Sequence, residues 1–138
     1  MEMRKGVSLV VYRKEKDKIF YLILKRKRRW IGYELIKGGK FKSESEIQTI
    51  KRELREEIRV KPIKIINLNY PTKFNYPKKN VFHKKGFSAN CYAVEIKGKI
   101  KLNNEHSSYK WLTYNKAKNI LTYQNLKIIL GKANEKIK

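Results

Sequence analysis

Residues 46–58 are predicted to form an amphipathic helix in which acidic side chains border the apolar face. Because each residue of a helix advances about 100° around the axis, one stripe contains Ile47, Ile50, Leu54 and Ile58. The neighbouring stripe contains Glu53, Glu56 and Glu57. Ser43 and Glu46 fit a capping box, which predicts that the helix begins near residue 43 or 44. The three glutamates are therefore expected to lie beside the buried side of the helix.

These glutamates are crowded together in a chain that has 35 Lys and Arg but only 12 Asp and Glu. Glu53 and Glu57 form a like-charge pair one turn apart, which by itself costs about 0.2–0.5 kcal/mol. One interpretation is a solvated acidic face stabilised by pairs such as Arg52 with Glu56. The alternative is a site for a hard divalent cation, since Mg²⁺ binds a few carboxylates together with phosphates and water. The crowding in so basic a chain favours the metal site.

Apolar runs on both sides of this helix predict a single domain, residues 1–138, of the α/β (α+β) class. Five runs are predicted to be strands or extended pieces, namely residues 7–12, 19–24, 63–69, 87–96 and 109–114. From residue 115 the pattern is helical, and one face of the last helix contains Leu126, Ile129, Leu130 and Ala133. Residues 25–44 and 70–86 are predicted to be irregular. This order of elements suggests helices packed around a mixed sheet.

The net charge of +23 favours an anionic partner such as a nucleotide, RNA, DNA or an anionic membrane surface. A generally lysine-rich composition is the alternative explanation, because the lysines are spread over the whole chain. No apolar run is long enough to span a membrane, and no membrane partner is predicted. The single cysteine, Cys91, excludes an internal disulfide, so a reducing, cytoplasmic location is expected. No feature of the sequence predicts the oligomeric state.

From Gly38 the sequence reads G-x5-E-x7-R-E-L-x-E-E, a pattern that ends in the acidic stripe. Residues 38–60 resemble the Nudix box, the signature of hydrolases that cut a diphosphate linked to another group. Ser43 and Arg59 each stand where that family commonly has glycine, and Arg59 suggests a different turn after the helix without loss of a ligand. The resemblance implies a Nudix-type α/β/α sandwich around a mixed β-sheet.

The same resemblance implies that Mg²⁺ or Mn²⁺ is the cofactor. Glu56 and Glu57 would be the main metal ligands, and Glu53 would be a third ligand or the base that activates water. The remaining roles in the box would be a carbonyl ligand at Gly38, a structural residue at Gly39, an orienting residue at Arg52 and a brace at Glu44.

Residues 30–39 and 105–117 resemble the Nudix subgroup that asymmetrically cleaves diadenosine tetraphosphate. That subgroup has W-x-x-P-K-G and E-H-x-x-Y-x-W-L segments, and Ile36 here replaces the proline. The match implies further site residues, namely Lys37 for phosphate, Tyr76 for stacking on adenine, Glu105 as metal ligand or base, and His106 beside it as a substrate contact. Lys85 lies in the same lysine-rich loop as Tyr76 and suits polyphosphate, although such a loop is also simply solvated.

The predicted activity is metal-dependent hydrolysis of nucleoside polyphosphates, with diadenosine tetraphosphate as the best single substrate. The basic run at residues 25–29 directly precedes the predicted site and supports a second possibility, hydrolysis at the 5′ end of RNA. A third possibility is a nucleotide- or RNA-binding protein on a Nudix fold that has lost catalysis. The intact glutamates of the box count against this third possibility.

Overall fold

The computed structural model describes residues 4–28, 31–74 and 86–138 of the chain. Within these ranges the elements are β1 (Arg4–Glu15), β2 (Lys18–Arg26), β3 (Gly32–Glu34), β4 (Ile36–Gly39), α1 (Glu46–Glu57), β5 (Pro62–Phe74), β6 (Phe87–Ile96), β7 (His106–Leu112), α2 (Tyr114–Ile120) and α3 (Gln124–Ile137). The predicted strands and helices are confirmed, except that β7 ends at Leu112 and not at residue 114, and that residues 70–74, predicted to be irregular, belong to β5. The short strands β3 and β4 lie in a stretch that was predicted to be irregular. They are strands because they pair with β2 and β1, and their local sequence pattern does not reveal this pairing.

Strand β1 lies at the centre of a mixed sheet and pairs with three other strands. On one edge its residues 6–9 pair antiparallel with β4, and its residues 12–15 pair antiparallel with β2. On the other edge it pairs parallel with β6, which in turn pairs antiparallel with β5. Strand β2 also pairs with β3 and β7. The predicted mixed sheet is therefore confirmed.

The side chains of β1 alternate between the two faces of the sheet, as expected for a strand that is covered on both sides. Val7, Leu9 and Val11 pack in one apolar cluster with the buried side of α1. Val10 and Tyr12 pack in a second cluster on the opposite face, which includes the predicted face of α3, Leu126, Ile129, Leu130 and Ala133. The α/β/α sandwich is confirmed. No helix in the described ranges has the length and apolarity needed to cross a membrane.

Helix α1 is capped by Ser45, so the predicted capping box of Ser43 with Glu46 is wrong. The Ser45 hydroxyl accepts a hydrogen bond from the Gln48 amide at 3.1 Å, and Gln48 Oε1 accepts from the Ser45 amide at 2.8 Å. Glu46 instead accepts hydrogen bonds from the side chains of Asn90 and Tyr92 on β6. The first turn of the helix is thereby tied to the sheet.

The predicted apolar stripe of α1 is correct at three of its four positions. Ile50, Leu54 and Ile58 are fully buried, but Ile47 is 42% exposed. The buried position in the first turn belongs to Thr49, whose hydroxyl donates to Glu44 Oε1 at 3.0 Å. A polar residue can lie there because its hydroxyl is satisfied, which hydrophobic periodicity does not reveal.

The chain leaves α1 through a left-handed residue, Arg59, whose φ is 57°. This is the conformation that glycine adopts without a steric penalty. The prediction of a different turn at Arg59 is therefore wrong, because the arginine adopts a conformation that suits glycine.

Replacing Arg59 with glycine is expected to raise the free energy of unfolding by about 1 kcal/mol. A side chain in the left-handed region costs about 1–2 kcal/mol, and the greater unfolded-state entropy of glycine offsets part of that gain. Urea unfolding measures the change. The matched control is Arg55→Gly at an exposed interior position of α1, which should lose about 1 kcal/mol. A loss of stability in Arg59→Gly would contradict the prediction.

Candidate active site

A cleft of about 340 Å³ is formed by β4, the glutamate side of α1 and the segment that precedes β7. Its lining contains seven of the predicted site residues, Lys37, Gly38, Gly39, Glu53, Glu56, Glu57 and Glu105. These residues come from three separate segments of the chain. They meet because β4 pairs with β1 while α1 packs on the same strand.

Gly38 is the point at which β4 and α1 approach each other most tightly. A Cβ atom added at Gly38 would overlap the carboxyl group of Glu53. One added at Gly6 of β1 would overlap the carbonyl group of Gly38. At Gly6 the neighbour is backbone, so only glycine fits there, whereas a side chain at Gly38 would require the Glu53 side chain to move. Gly38 and Glu53, both predicted to supply metal ligands, are thus in close contact.

The glutamates of the cleft differ sharply in exposure and in electrostatic environment. Glu53 and Glu57 are each 8% exposed, whereas the Glu56 side chain is 52% exposed. Burial and then the charge of Glu57 raise the pKa of Glu53 to about 7, although Arg52 opposes the shift. Burial and the nearby Glu105 carboxylate raise the pKa of Glu57. The site therefore carries buried negative charge that a bound cation would stabilise.

The stability of the metal-free protein is expected to fall as the pH rises from about 4.5 to about 7. In that window folded Glu53 keeps a proton that the unfolded chain has released, so deprotonation favours unfolding by up to about 3 kcal/mol. Urea unfolding with a chelator at pH 5 and pH 7 measures the difference. Glu53→Gln should flatten this dependence, and equal slopes in Glu53→Gln and the unaltered protein would contradict the prediction. Glu44→Gln is the control, because Glu44 titrates near pH 2, below the window.

Arg52 connects the carboxylates of α1 to the loop that precedes the helix. Its Nη1 donates to Glu53 Oε1 at 3.2 Å and to Glu56 Oε1 at 3.1 Å. On the other side its Nε lies 2.7 Å from Glu44 Oε2, and its Nη2 donates to the Gly39 carbonyl at 2.7 Å. The guanidinium thus restricts the positions of two cleft glutamates and of the backbone at Gly39.

Glu44 joins the loop to the start of α1. Its carboxylate accepts hydrogen bonds from Arg52, from the Phe41 amide at 2.9 Å and from the Thr49 hydroxyl at 3.0 Å. The hydrogen bond from Arg52 is the main reason that the pKa of Glu44 falls to about 2. Glu44 is therefore ionised at neutral pH and lies where the predicted brace requires it.

Glu57, Glu105 and His106 converge from two segments that are far apart in the sequence. Each offers a ligand atom, and all three atoms lie within 4.8 Å of one another. His106 is only 3% exposed, and its Nε2 lies 2.7 Å from Glu34 Oε2. This carboxylate and imidazole set has the chemistry of a site for a divalent cation.

Three residues around this cluster escaped the sequence predictions. Glu34 is buried and accepts from Arg26 Nη1 at 3.0 Å, and the same nitrogen lies 3.8 Å from Glu105 Oε2. Asn103 donates to Glu57 Oε2 at 2.7 Å and accepts from the Glu105 amide at 3.0 Å. Glu34 offered one signal, since it is a lone acid in the otherwise mostly apolar stretch of residues 33–36. Nothing in the sequence pairs it with His106.

Of the four predicted substrate contacts, Lys37 and His106 lie within the described residues, and the burial of His106 beside Glu34 argues against its contact with substrate. Lys37 lines the cleft, and its ammonium lies 4.4 Å from the centre of the Phe74 ring. Burial lowers the pKa of Lys37, and the charge of Glu34 opposes that shift. Tyr76 and Lys85 lie outside the described residues, so their roles stay predictions.

A family model of the NUDIX domain matches residues 2–130. The chain belongs to the NUDIX family. As a Nudix hydrolase it is a pyrophosphohydrolase of nucleoside diphosphate derivatives, and enzymes of this family use divalent metals. This finding supports catalysis over the alternative of a binding protein that has lost it.

Solved structures with the same fold include the following three proteins. An Ap4A hydrolase from C. elegans, in a binary complex, is 25% identical, covers 98% of each chain and has a TM-score of 0.79. The E. coli dihydroneopterin triphosphate pyrophosphohydrolase is 15% identical over 96% of this chain and 97% of its own, with a TM-score of 0.76. The NUDIX domain of NrtR from Shewanella oneidensis, bound to ADP ribose, is 17% identical. The match covers 100% of this chain and 90% of the NrtR domain, with a TM-score of 0.78. A comparison with curated proteins gave no significant match.

Proposed function

We propose that this Nudix hydrolase cleaves a diphosphate linkage in nucleoside polyphosphates, and that diadenosine tetraphosphate is its best substrate. The observation that carries the proposal is the meeting of Glu53, Glu57 and Glu105 with Lys37 in one cleft. The carboxylates suit a cation, and the lysine suits the phosphates that the cation neutralises. The similarity of residues 30–39 and 105–112 to the asymmetric dinucleotide hydrolases favours this substrate.

The cation would be Mg²⁺ or Mn²⁺, held by Glu56, Glu57, Glu105 and the Gly38 carbonyl. When bound, it would neutralise the diphosphate and make a water molecule more acidic. The fit rests on the donor set, because oxygen ligands converge on one cleft and burial raises the pKa of both Glu53 and Glu57 there. Asn103 holds one oxygen of Glu57 by its 2.7 Å hydrogen bond.

Glu53 is the proposed proton acceptor for the attacking water, or else a third ligand. Burial raises the pKa of Glu53, which makes its carboxylate a better proton acceptor. Arg52 restricts the position of that carboxylate by the 3.2 Å hydrogen bond. Lys37 would contact phosphate oxygens, and its lowered pKa rises again once anionic phosphate lies beside it.

Product analysis over a panel of substrates tests the proposal. The panel contains diadenosine tetraphosphate, ADP-ribose, nucleoside triphosphates and RNA with a 5′ triphosphate, each with Mg²⁺, with Mn²⁺ and with chelator. Asymmetric cleavage of diadenosine tetraphosphate should yield ATP and AMP, at a higher kcat/KM than the other substrates support, and chelator should abolish it. A lack of turnover of every substrate, with metal bound, would overturn the proposal.

RNA 5′-end hydrolysis is the second candidate, and one feature favours it. The basic run at residues 25–28 borders the cleft, since the Lys27 amide donates to the Glu105 carbonyl at 3.2 Å. Lys27 and Arg28 are both exposed. Their replacement by serine should reduce RNA turnover strongly and dinucleotide turnover little, because RNA offers more phosphates to contact. Equal losses for both substrates would exclude the run as an RNA contact.

A further inference from the structure

His106 has a buried ring nitrogen without a hydrogen-bond partner among the described residues. The side chain is 1% exposed, and Nδ1 is the atom that remains unsatisfied. A buried polar atom without a partner costs about 1–3 kcal/mol, so such atoms call for an explanation. Nδ1 lies 3.9 Å from Glu57 Oε1, beyond hydrogen-bond distance, and the ligand atoms offered by His106, Glu57 and Glu105 lie within 4.8 Å of one another.

The other nitrogen of the ring determines what Nδ1 can do. Nε2 lies 2.7 Å from Glu34 Oε2, an oxygen that also accepts from Arg26 at 3.0 Å. A carboxylate paired with arginine is ionised and can only accept hydrogen bonds, so Nε2 must carry the proton. In the neutral imidazole the lone pair is then on Nδ1, the atom that lies 3.9 Å from Glu57 Oε1.

We propose that His106 Nδ1 is a nitrogen ligand of the active-site cation, together with Glu57 and Glu105. The inference rests on the proposed function, whose cation occupies the same cleft. Histidines that bind metals usually donate their other ring N–H to a carboxylate, which is the arrangement of His106 and Glu34. Glu34 is the positioning residue, because it holds the ring orientation and is itself held by Arg26.

A nitrogen ligand changes which ions the site prefers. Mg²⁺ binds oxygen ligands and gains little from imidazole, whereas first-row transition ions bind imidazole well. The site should therefore favour Mn²⁺ and Co²⁺ over Mg²⁺ more strongly than a site made of carboxylates alone. This preference concerns the identity of the ion, not the identity of the substrate.

Electron spin echo measurements on the protein loaded with one equivalent of Mn²⁺ test the ligand directly. The unaltered protein should show ¹⁴N coupling from a bound imidazole, and labelling with ¹⁵N-histidine should convert it to ¹⁵N coupling. The chain has two histidines, so His106→Gln should abolish the signal, while the control His83→Gln should keep it. Absence of the coupling in the unaltered protein, or its persistence in His106→Gln, would overturn the inference.

Calorimetric titrations supply a second readout. His106→Gln should weaken Mn²⁺ binding by about 10- to 100-fold but Mg²⁺ binding by less than about threefold. Glu34→Gln should weaken the binding of both ions by smaller factors. Equal losses for the two ions would contradict the nitrogen ligand. The failure of the proposed function can be distinguished from the failure of the ligand assignment. Coupling to ¹⁴N without hydrolysis would refute only the proposed function. Hydrolysis without ¹⁴N coupling would refute only the assignment of His106 as a ligand.

Discussion

Replacing Glu56 with glutamine is expected to lower kcat by about a thousandfold and to leave the fold intact. A carboxylate that holds the cation supplies several kcal/mol of transition-state stabilisation, and a thousandfold corresponds to about 4 kcal/mol. Because the Glu56 side chain is 52% exposed and pairs with Arg52 at the surface, the free energy of unfolding should change by less than about 1 kcal/mol. Steady-state kinetics at saturating Mg²⁺ and urea unfolding measure the two effects.

Glu135→Gln is the matched control for Glu56→Gln. Glu135 is an exposed glutamate on α3, which packs on the face of the sheet opposite α1. Glu135→Gln removes the same charge, but its kcat should stay within about twofold of that of the unaltered protein. Near-normal kcat in Glu56→Gln would mean that the cation is held elsewhere and that the acidic stripe is a solvated face.

Replacing Gly38 with alanine is expected to lower kcat/KM by at least about a hundredfold and to cost about 1–3 kcal/mol of stability. The added methyl group would overlap the Glu53 carboxyl, so β4 and Glu53 must separate. A displacement of about 1 Å at a catalytic group is enough for a hundredfold loss. Kinetics with the best substrate and urea unfolding measure both effects.

The control for Gly38→Ala is Gly131→Ala on α3. An added Cβ at Gly131 meets only the Tyr114 hydroxyl, at 3.4 Å, and alanine is the better helix former. Gly131→Ala should therefore be neutral or stabilising by up to about 1 kcal/mol, with unchanged kinetics. Unchanged kinetics in Gly38→Ala as well would show that the close approach to Glu53 has no catalytic purpose.

The two ends of the cleft are stabilised in different ways. At one end Arg52 forms ion pairs with Glu44, Glu53 and Glu56. At the other end the negative charge of Glu105 repels that of Glu57 and raises the pKa of Glu57. Asn103, which is neutral, donates a hydrogen bond to Glu57. Binding of a cation is therefore expected to change the Glu57 end more than the Arg52 end.

Patterns within one element could be predicted correctly from the sequence. The strand at Phe87–Ile96 and the buried side of α3 follow from the spacing of apolar residues alone. The acidic stripe of α1 follows from helical geometry, and its spacing from Gly38 is a local motif that needs no tertiary contact. These features are encoded within short windows, so periodicity and motif spacing are sufficient to find them.

Contacts between distant segments could not be predicted in this way. Glu34 and His106 are 72 positions apart, and only the pairing of β2 with both β3 and β7 brings them together. The exposure of Ile47 and the burial of Glu53 also depend on how α1 lies on the sheet.

Local sequence thus determined the elements, the family motif and the carboxylates that suit a cation. The tertiary structure alone decided which of those carboxylates are buried, which are paired with Arg52, and that His106 turns an unsatisfied nitrogen towards Glu57. The physical reason is that burial and electrostatic pairing are properties of the packed arrangement, whereas helical and strand periodicity are properties of neighbouring residues.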